Sequence, residues 1–175
     1  MSGSRHTAGT DPETADRRAR ALSSALRIRI LRFCLHQERT NREIAAEFGL
    51  NPGTALHHVR TLVDTGLLAA GEPRRGTRGA REVPYRATGL SWRSEVPGIA
   101  AVLTRAFLED IEGVPVDAIE TWRMGFLMDE QTEADFQAEI TALIDRFRAR
   151  PPSSEARPVS LFVALHPERR RTGGG

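Results

Sequence analysis

The stretch from Thr40 to Gly66 constrains this chain more than any other. Thr40-Asn41-Arg42-Glu43 has the spacing of a capping box, in which a hydroxyl and a carboxylate three residues apart satisfy each other's backbone N–H groups. Ile44, Ala45 and Phe48 follow as an apolar stripe, and Gly49 supplies the stop. Asn51 then offers a second N-cap, and Pro52 suits the first helical position, where its missing N–H has no partner to lose. Ala55, Val59, Leu62 and Val63 make the buried face of this helix, and Gly66 closes it. A short helix, a tight turn and a second helix is the helix-turn-helix pattern.

The flanks complete a larger unit. From Ala19 onward Leu22, Leu26, Ile30, Leu31, Cys34 and Leu35 recur at spacings of three and four, one apolar face of a helix. Residues 1–18 have no such period and are expected to be a disordered tail. After Gly66, Leu67-Leu68-Ala69-Ala70 and Glu82 to Thr88 read as two extended segments around a Gly-rich tip, a β-hairpin. The tip carries Arg74, Arg75, Arg78 and Arg81, with no acid among them. Helix, helix, tight turn, helix and Arg-tipped hairpin make a winged helix-turn-helix over 19–93. In such a unit the third helix fits the major groove of double-stranded DNA. The hairpin lies along the backbone or enters the minor groove, whose negative potential favours Arg. The helix starts at Asn41 and Asn51 offer backbone N–H groups to phosphates.

Beyond Trp92 the composition changes. Ile99, Val102, Leu103, Ala106, Phe107 and Ile111 form a narrow stripe on one long helix, ended by Gly113 and Pro115. The winged helix already closes its own small core, so this stripe is assigned to dimerisation. Trp122, Met124, Phe126 and Met128 alternate as in a strand. Phe136, Ile140, Leu143, Ile144 and Phe147 mark a helix capped by Thr132, and Val159, Leu161, Val163 and Leu165 alternate again. Residues 94–166 are therefore expected to form a dimerisation helix and a strand–helix–strand region, with 167–175 a second disordered tail. The fold class is mostly α with small β.

Charge divides the chain at nearly the same place. All 25 basic residues are arginine and the net charge is only +2, yet residues 1–93 hold 16 Arg against 9 acids, and 94–175 hold 9 Arg against 14. A basic half joined to an acidic half points to a polyanion at one end only. The apolar fraction of 39% suffices for a core, and no apolar run is long enough to span a bilayer. A single cysteine, Cys34, allows no internal disulfide and no Cys-based zinc site. The polar N-terminus does not read as a secretory signal. The expectation is a cytoplasmic protein with no membrane partner.

The segment ALSSALRIRILRFCL from Ala21 to Leu35, followed by TNREIAAEFGLNPGTALHHVRTLVDTGLL, resembles the ArsR-type winged-helix transcriptional regulators of bacteria. The resemblance runs from Arg17 to Trp92. It is carried by Arg27 with Ile30-Leu31, by Ile44-Ala45, by His58 before Val59, and by the LVDTGLL ending at Leu68. It implies a dimeric, operator-binding repressor or activator. Metal-sensing members carry paired cysteines in or near the recognition helix. This helix has none, so the resemblance brings no metal sensing with it.

With Ala55, Val59, Leu62 and Val63 facing in, the third helix turns Gly53, Leu56, His57 and Arg60 outward. His57 and Arg60 are the base-edge candidates, because Arg donates to guanine and His donates or accepts. The expected DNA-contacting set is Thr40, Asn41, Asn51, Gly53, Thr54, Leu56, His57, Arg60, Arg74, Arg75, Arg78 and Arg81. The expected dimer interface is Ile99, Val102, Leu103, Ala106, Phe107 and Ile111. His58, at the edge of the buried face, is given a structural hydrogen-bonding role, and Cys34 that of a small hydrophobe. His57 and His58 point about 100° apart on a helix, poor geometry for sharing a metal. Asp129, Glu130, Glu133 and Asp135 gather at a helix start, where the dipole favours them, without a nucleophile or His for acid–base work. No catalytic residue, metal or cofactor is assigned.

The chain is thus expected to be a sequence-specific DNA-binding transcriptional regulator, a repressor acting as a homodimer on a palindromic operator. Two other readings stand beside it. One is a winged-helix protein-interaction module, against which the basic and polar outward face argues. The other is a regulator responsive to an unknown small-molecule effector, with a pocket lined by Trp122, Met124, Phe126 and Phe136, residue types that more often form core.

Overall fold

Pro12 opens the first helix, well before the apolar stripe begins. Helix α1 spans Pro12–Leu22 and α2 spans Ala25–Phe33. Two expectations are corrected here: the tail to residue 18, and a single helix from Ala19. Proline at the first position and Glu13 in the first turn both favour a helix start. The break comes from two serines, whose hydroxyls compete for backbone groups. Ser23 donates to the Arg20 carbonyl at 2.8 Å, and Ser24 caps α2 by accepting from the Arg27 N–H. The Arg27 guanidinium then donates to the carbonyls of Arg20 and Ala21, closing the end of α1.

The computed structural model describes residues 12–76, 81–90, 96 and 98–168, which fall into two units, Met1–Gly113 and Val114–Gly175. In the first unit a two-residue strand β1 (Arg39–Thr40) leads into α3 (Asn41–Glu47), and α4 (Pro52–Asp64) follows. Strands β2 (Leu68–Ala70), β3 (Arg74–Arg75), β4 (Arg81–Glu82) and β5 (Pro84–Ala87) make the hairpin, and α5 (Ile99–Asp110) ends the unit. The core gathers one face of each helix: Leu22, Ile30, Leu31, Cys34, Ile44, Ala55, Val59 and Leu62, with Leu67 and Leu68 from the hairpin base.

A three-stranded antiparallel sheet has the order β1-β5-β2, with Leu68 opposite Ala87 and Ala70 opposite Tyr85. The outer part of the hairpin is a separate ladder, with Arg74 opposite Glu82 and Arg75 opposite Arg81. Glu72 and Pro73 on one strand therefore face Val83 alone on the other, one extra residue between the two ladders. Pro73 has no N–H to give to a ladder, so the register slips there, as at a β-bulge.

Helix α5 packs on α2. Ala106 is buried in the core of the first unit, with Ile99, Val102 and Leu103 against it. Arg29 meets Asp110 at 2.8 Å and Glu109 at 3.2 Å, and Arg32 meets Asp110 at 3.1 Å. The expected boundary after residue 93 thus moves to Gly113, because α5 closes over the winged helix.

The second unit has one long helix, α6 (Glu130–Arg148), and a short 3-10 turn at Val116–Ala118. The N-cap of α6 is Asp129, which accepts from the Thr132 N–H at 2.8 Å, so the start lies three residues before the expected cap. Trp122–Met128 and Val159–Leu165 form no strand, which corrects the strand–helix–strand expectation. None of the described residues of this unit is buried, and Trp122 and Met124 are each 70% exposed. Two short segments around one helix offer too few partners for a sheet, since even an isolated hairpin is marginal in water. Among the described residues no helix is long and apolar enough to cross a membrane.

Candidate nucleic-acid interface

Three local devices fix the angle between α3 and α4. The capping box forms: Thr40 Oγ1 accepts from the Glu43 N–H at 3.3 Å, and Glu43 Oε2 accepts from the Thr40 N–H at 2.7 Å. The Thr40 backbone bond, joined by the Thr40 hydroxyl, Arg39 and Arg74, holds the Glu43 carboxyl below its ordinary value despite partial burial. Gly49 then takes φ +60°, letting Leu50 N–H reach the Ala45 carbonyl at 2.8 Å and close a Schellman turn. Finally, Asn51 Oδ1 caps α4 on the Gly53 N–H at 2.8 Å, and Asn41 Nδ2 donates to the Pro52 carbonyl at 3.0 Å. Asn41 thereby ties the start of α3 to the start of α4. At the far end of α4, Arg18 Nε donates to the Thr65 carbonyl at 3.0 Å, so α1 completes the C-terminal cap.

Held this way, α4 presents one open face. Asn51, Gly53, Thr54, His57 and Arg60 are exposed, while Ala55, Val59 and Leu62 are fully buried. Leu56 is half-buried and lines a shallow groove of about 290 Å³ between α4, α3 and the hairpin. Thr40 is 2% exposed with its hydroxyl committed to Glu43, and half-buried Asn41 gives its Nδ2 to the Pro52 carbonyl, so both side chains hold the helix starts in place. His58 is half-buried, and its Nδ1 is buried with no hydrogen-bond partner among the described residues. Burial, and then the nearby charges of Arg27 and His57, push its pKa down and keep the ring neutral.

The hairpin supplies positive charge beside this face. Arg74, Arg75 and Arg81 are exposed; Arg78 lies outside the described residues. Arg75 and Arg81 stand directly opposite each other across β3 and β4. Like charges in that relation repel, so the pair is costly to the free protein. Glu82 lies across the ladder from Arg74, and its carboxylate is met by Arg42, whose Nε lies 3.6 Å from it. Gly76 lies close against the Glu82 side chain, which would have to shift to admit a Cβ there. Sequence reasoning passed over Arg42, beside Glu82, and Arg86 on β5, both exposed. The alternation of β5, with Tyr85 and Ala87 packed against the core and Arg86 out between them, was the signal for the second.

The expected dimer stripe is divided. Ala106 is buried within its own unit, whereas Ile99, Val102, Leu103, Phe107 and Ile111 stay half-exposed. Of the expected effector pocket, Trp122, Met124 and Phe126 are exposed, and Phe126 and Phe136 meet with ring centroids 5.4 Å apart. Cys34 is fully buried, and burial pushes its thiol up to about 12. Asp129 is spent on its cap, which holds its carboxyl below the ordinary value, and Asp135 accepts from Gln131. Among the described residues no group of three or more His, Cys, Asp or Glu side chains is placed to hold a metal ion.

Residues 24–70 match the model of the family described as bacterial regulatory protein, arsR family, which bears out the resemblance read from the sequence. No curated protein matches the chain. Among solved structures, the chain is similar to a homodimeric winged helix-turn-helix DNA-binding domain of Mycobacterium bovis, described as a possible ArsR-family transcriptional regulator. That likeness has 24% identity, covers 69% of this chain and 100% of that one, and has a TM-score of 0.38. NolR from Sinorhizobium fredii is 19% identical over 61% of this chain and 98% of its own, with a TM-score of 0.38. MepR of S. aureus in complex with DNA is 15% identical over 75% of this chain and 90% of its own, with a TM-score of 0.36. At these TM-scores the structural likenesses carry no weight of their own; the family match over 24–70 does.

Proposed function

We propose that this chain, a DNA-binding transcriptional regulator with an arsR-family helix-turn-helix at residues 24–70, acts as a homodimeric repressor on a palindromic operator. One observation carries the reading. The open face of α4, with His57 and Arg60, lies next to a hairpin that holds Arg75 and Arg81 opposite each other at a cost to the free protein. A polyanion relieves that cost. In this reading His57 and Arg60 touch base edges in the major groove, with Leu56, Gly53 and Thr54 against the groove wall. Arg74, Arg75, Arg78 and Arg81 meet phosphates or the minor groove. The half-exposed side of α5, through Leu103 and Phe107, joins two copies so that two α4 helices reach successive turns of one DNA face.

The test is selection from a random pool of double-stranded DNA by the purified chain, followed by sequencing. The expected product is an inverted repeat with half-sites about one helical turn, roughly 34–36 Å, apart. A pool that stays random, together with capture of a protein on the α4 face, would establish the docking-module reading instead.

A further inference from the structure

The chemistry along one side of α6 is arranged in mirrored order. Asp135, Glu139, Ala142, Leu143 and Arg146 lie on one side of the helix, by the helical angle of 100° per residue, and Arg150 follows two residues past its end with its guanidinium over the Phe147 ring, 4.1 Å from the centroid. From a point between Ala142 and Leu143, Glu139 and Arg146 are equally far in opposite directions, and so are Asp135 and Arg150. Acids occupy one half and bases the other. Seven residues apart, Glu139 and Arg146 stand about 10 Å apart along their own helix and cannot pair with each other. Leu143 is 44% exposed, Ala142 is exposed, and a shallow groove along this side is lined by Phe136, Glu139, Ile140, Ala142, Leu143 and Arg146. The unit's own packing lies to one flank of it, where Phe126 touches Phe136 and Ile140 and Ile144 are half-buried.

We propose that this side of α6 docks against the same side of a second copy, the two helices antiparallel about a two-fold axis between Ala142 and Leu143. An isologous contact needs a surface complementary to itself under that rotation, and the mirrored order meets this condition. Each Glu139 then faces the Arg146 of the other copy. Ala142 lets the helices approach to the usual 8–10 Å, and Leu143 fills the centre. A partner of another kind would require no such order. The inference rests on the homodimer reading above and adds a contact separate from α5.

The test uses the full chain with Ala142→Cys. The only other cysteine, Cys34, is buried with its thiol pushed up to about 12, so it does not interfere. Near the axis, two introduced thiols come within the Cα separation a disulfide tolerates. Mild oxidation is expected to give a covalent dimer for Ala142→Cys and none for Gln137→Cys, on the opposite side of the helix. Adding Glu139→Arg, or Arg146→Glu, sets like charges face to face and is expected to slow cross-linking by about tenfold or more. Mixing those two charge variants is expected to restore it as a heterodimer, because both cross-pairs become Arg with Glu. A protein that sediments as a dimer but does not cross-link at position 142 overturns this inference and leaves the homodimer reading standing. A protein that sediments as a monomer overturns both.

Discussion

Arg81→Gln removes one member of a repelling pair and one anchor for DNA, so stability and affinity should move in opposite directions. Arg75 and Arg81 are direct cross-strand neighbours, a relation that places Cβ atoms about 4.5–5.5 Å apart and makes like charges unfavourable by up to about 1 kcal/mol. Both side chains are exposed, and solvent screening brings the figure to ~0.2–0.5 kcal/mol. Urea unfolding of the free variant should therefore show stability unchanged or raised by that amount, with the gain shrinking as salt is added. On DNA the same change removes one phosphate contact per copy. The slope of log affinity against log salt should flatten by about 0.9 per contact, hence by nearly two in a dimer. Fluorescence anisotropy across a salt series reads this directly. A variant that unfolds more than about 1 kcal/mol more easily, with an unchanged salt slope, would refute the reasoning and make Arg81 a structural residue of the hairpin.

Three further outcomes follow from the same geometry. Phe107→Asp should give a folded monomer, checked by sedimentation with circular dichroism for retained helix, since a carboxylate on the half-exposed side of α5 is costly to bury between copies. Leu103→Asp should be less stable as well, because Leu103 also packs against the core of its own unit. Cys34, buried with its thiol pushed up to about 12, stays protonated at neutral pH and should resist alkylation in the native chain but not in urea, by mass spectrometry; zinc or arsenite should leave DNA affinity unchanged. Glu43 is held below its ordinary carboxyl value, so its contribution is complete above that value and is lost as the pH falls toward the depressed one. Glu43→Gln should flatten this acid limb in pH-dependent unfolding.

The helix-turn-helix was legible because each of its boundaries is a local event. Thr40 with Glu43, Gly49, Asn51 with Pro52, and Gly66 act through bonds of a few residues' reach, and all appear where the sequence puts them. What escaped depends on contacts distant in sequence. The tail-like composition of 12–18 hides Arg18, whose partner is the Thr65 carbonyl 47 residues away. Strand β1 is two residues long and exists because β5 lies beside it. The stripe of α5 looked unpartnered because the acids that dock it, Glu109 and Asp110, find their arginines on α2. In the second unit, the period of two at Trp122–Met128 and Val159–Leu165 is real in the sequence. A strand, however, is a property of a pair, and neither segment forms one. The outward face of α4 followed from its buried face by subtraction, whereas the opposition of Arg75 and Arg81 required the register of the hairpin.

The central claim is that α4 reads sequence while the hairpin grips the backbone. Arg60→Ala, titrated on a selected operator and on random DNA of equal length across a salt series, tests it most directly. The account predicts a loss of ~1–3 kcal/mol on the operator, relaxed preference at one base step in each half-site, and a salt slope close to wild type. Equal weakening on both DNAs with a flattened slope would contradict it, since Arg60 would then be holding phosphate and the bases would be read by something else.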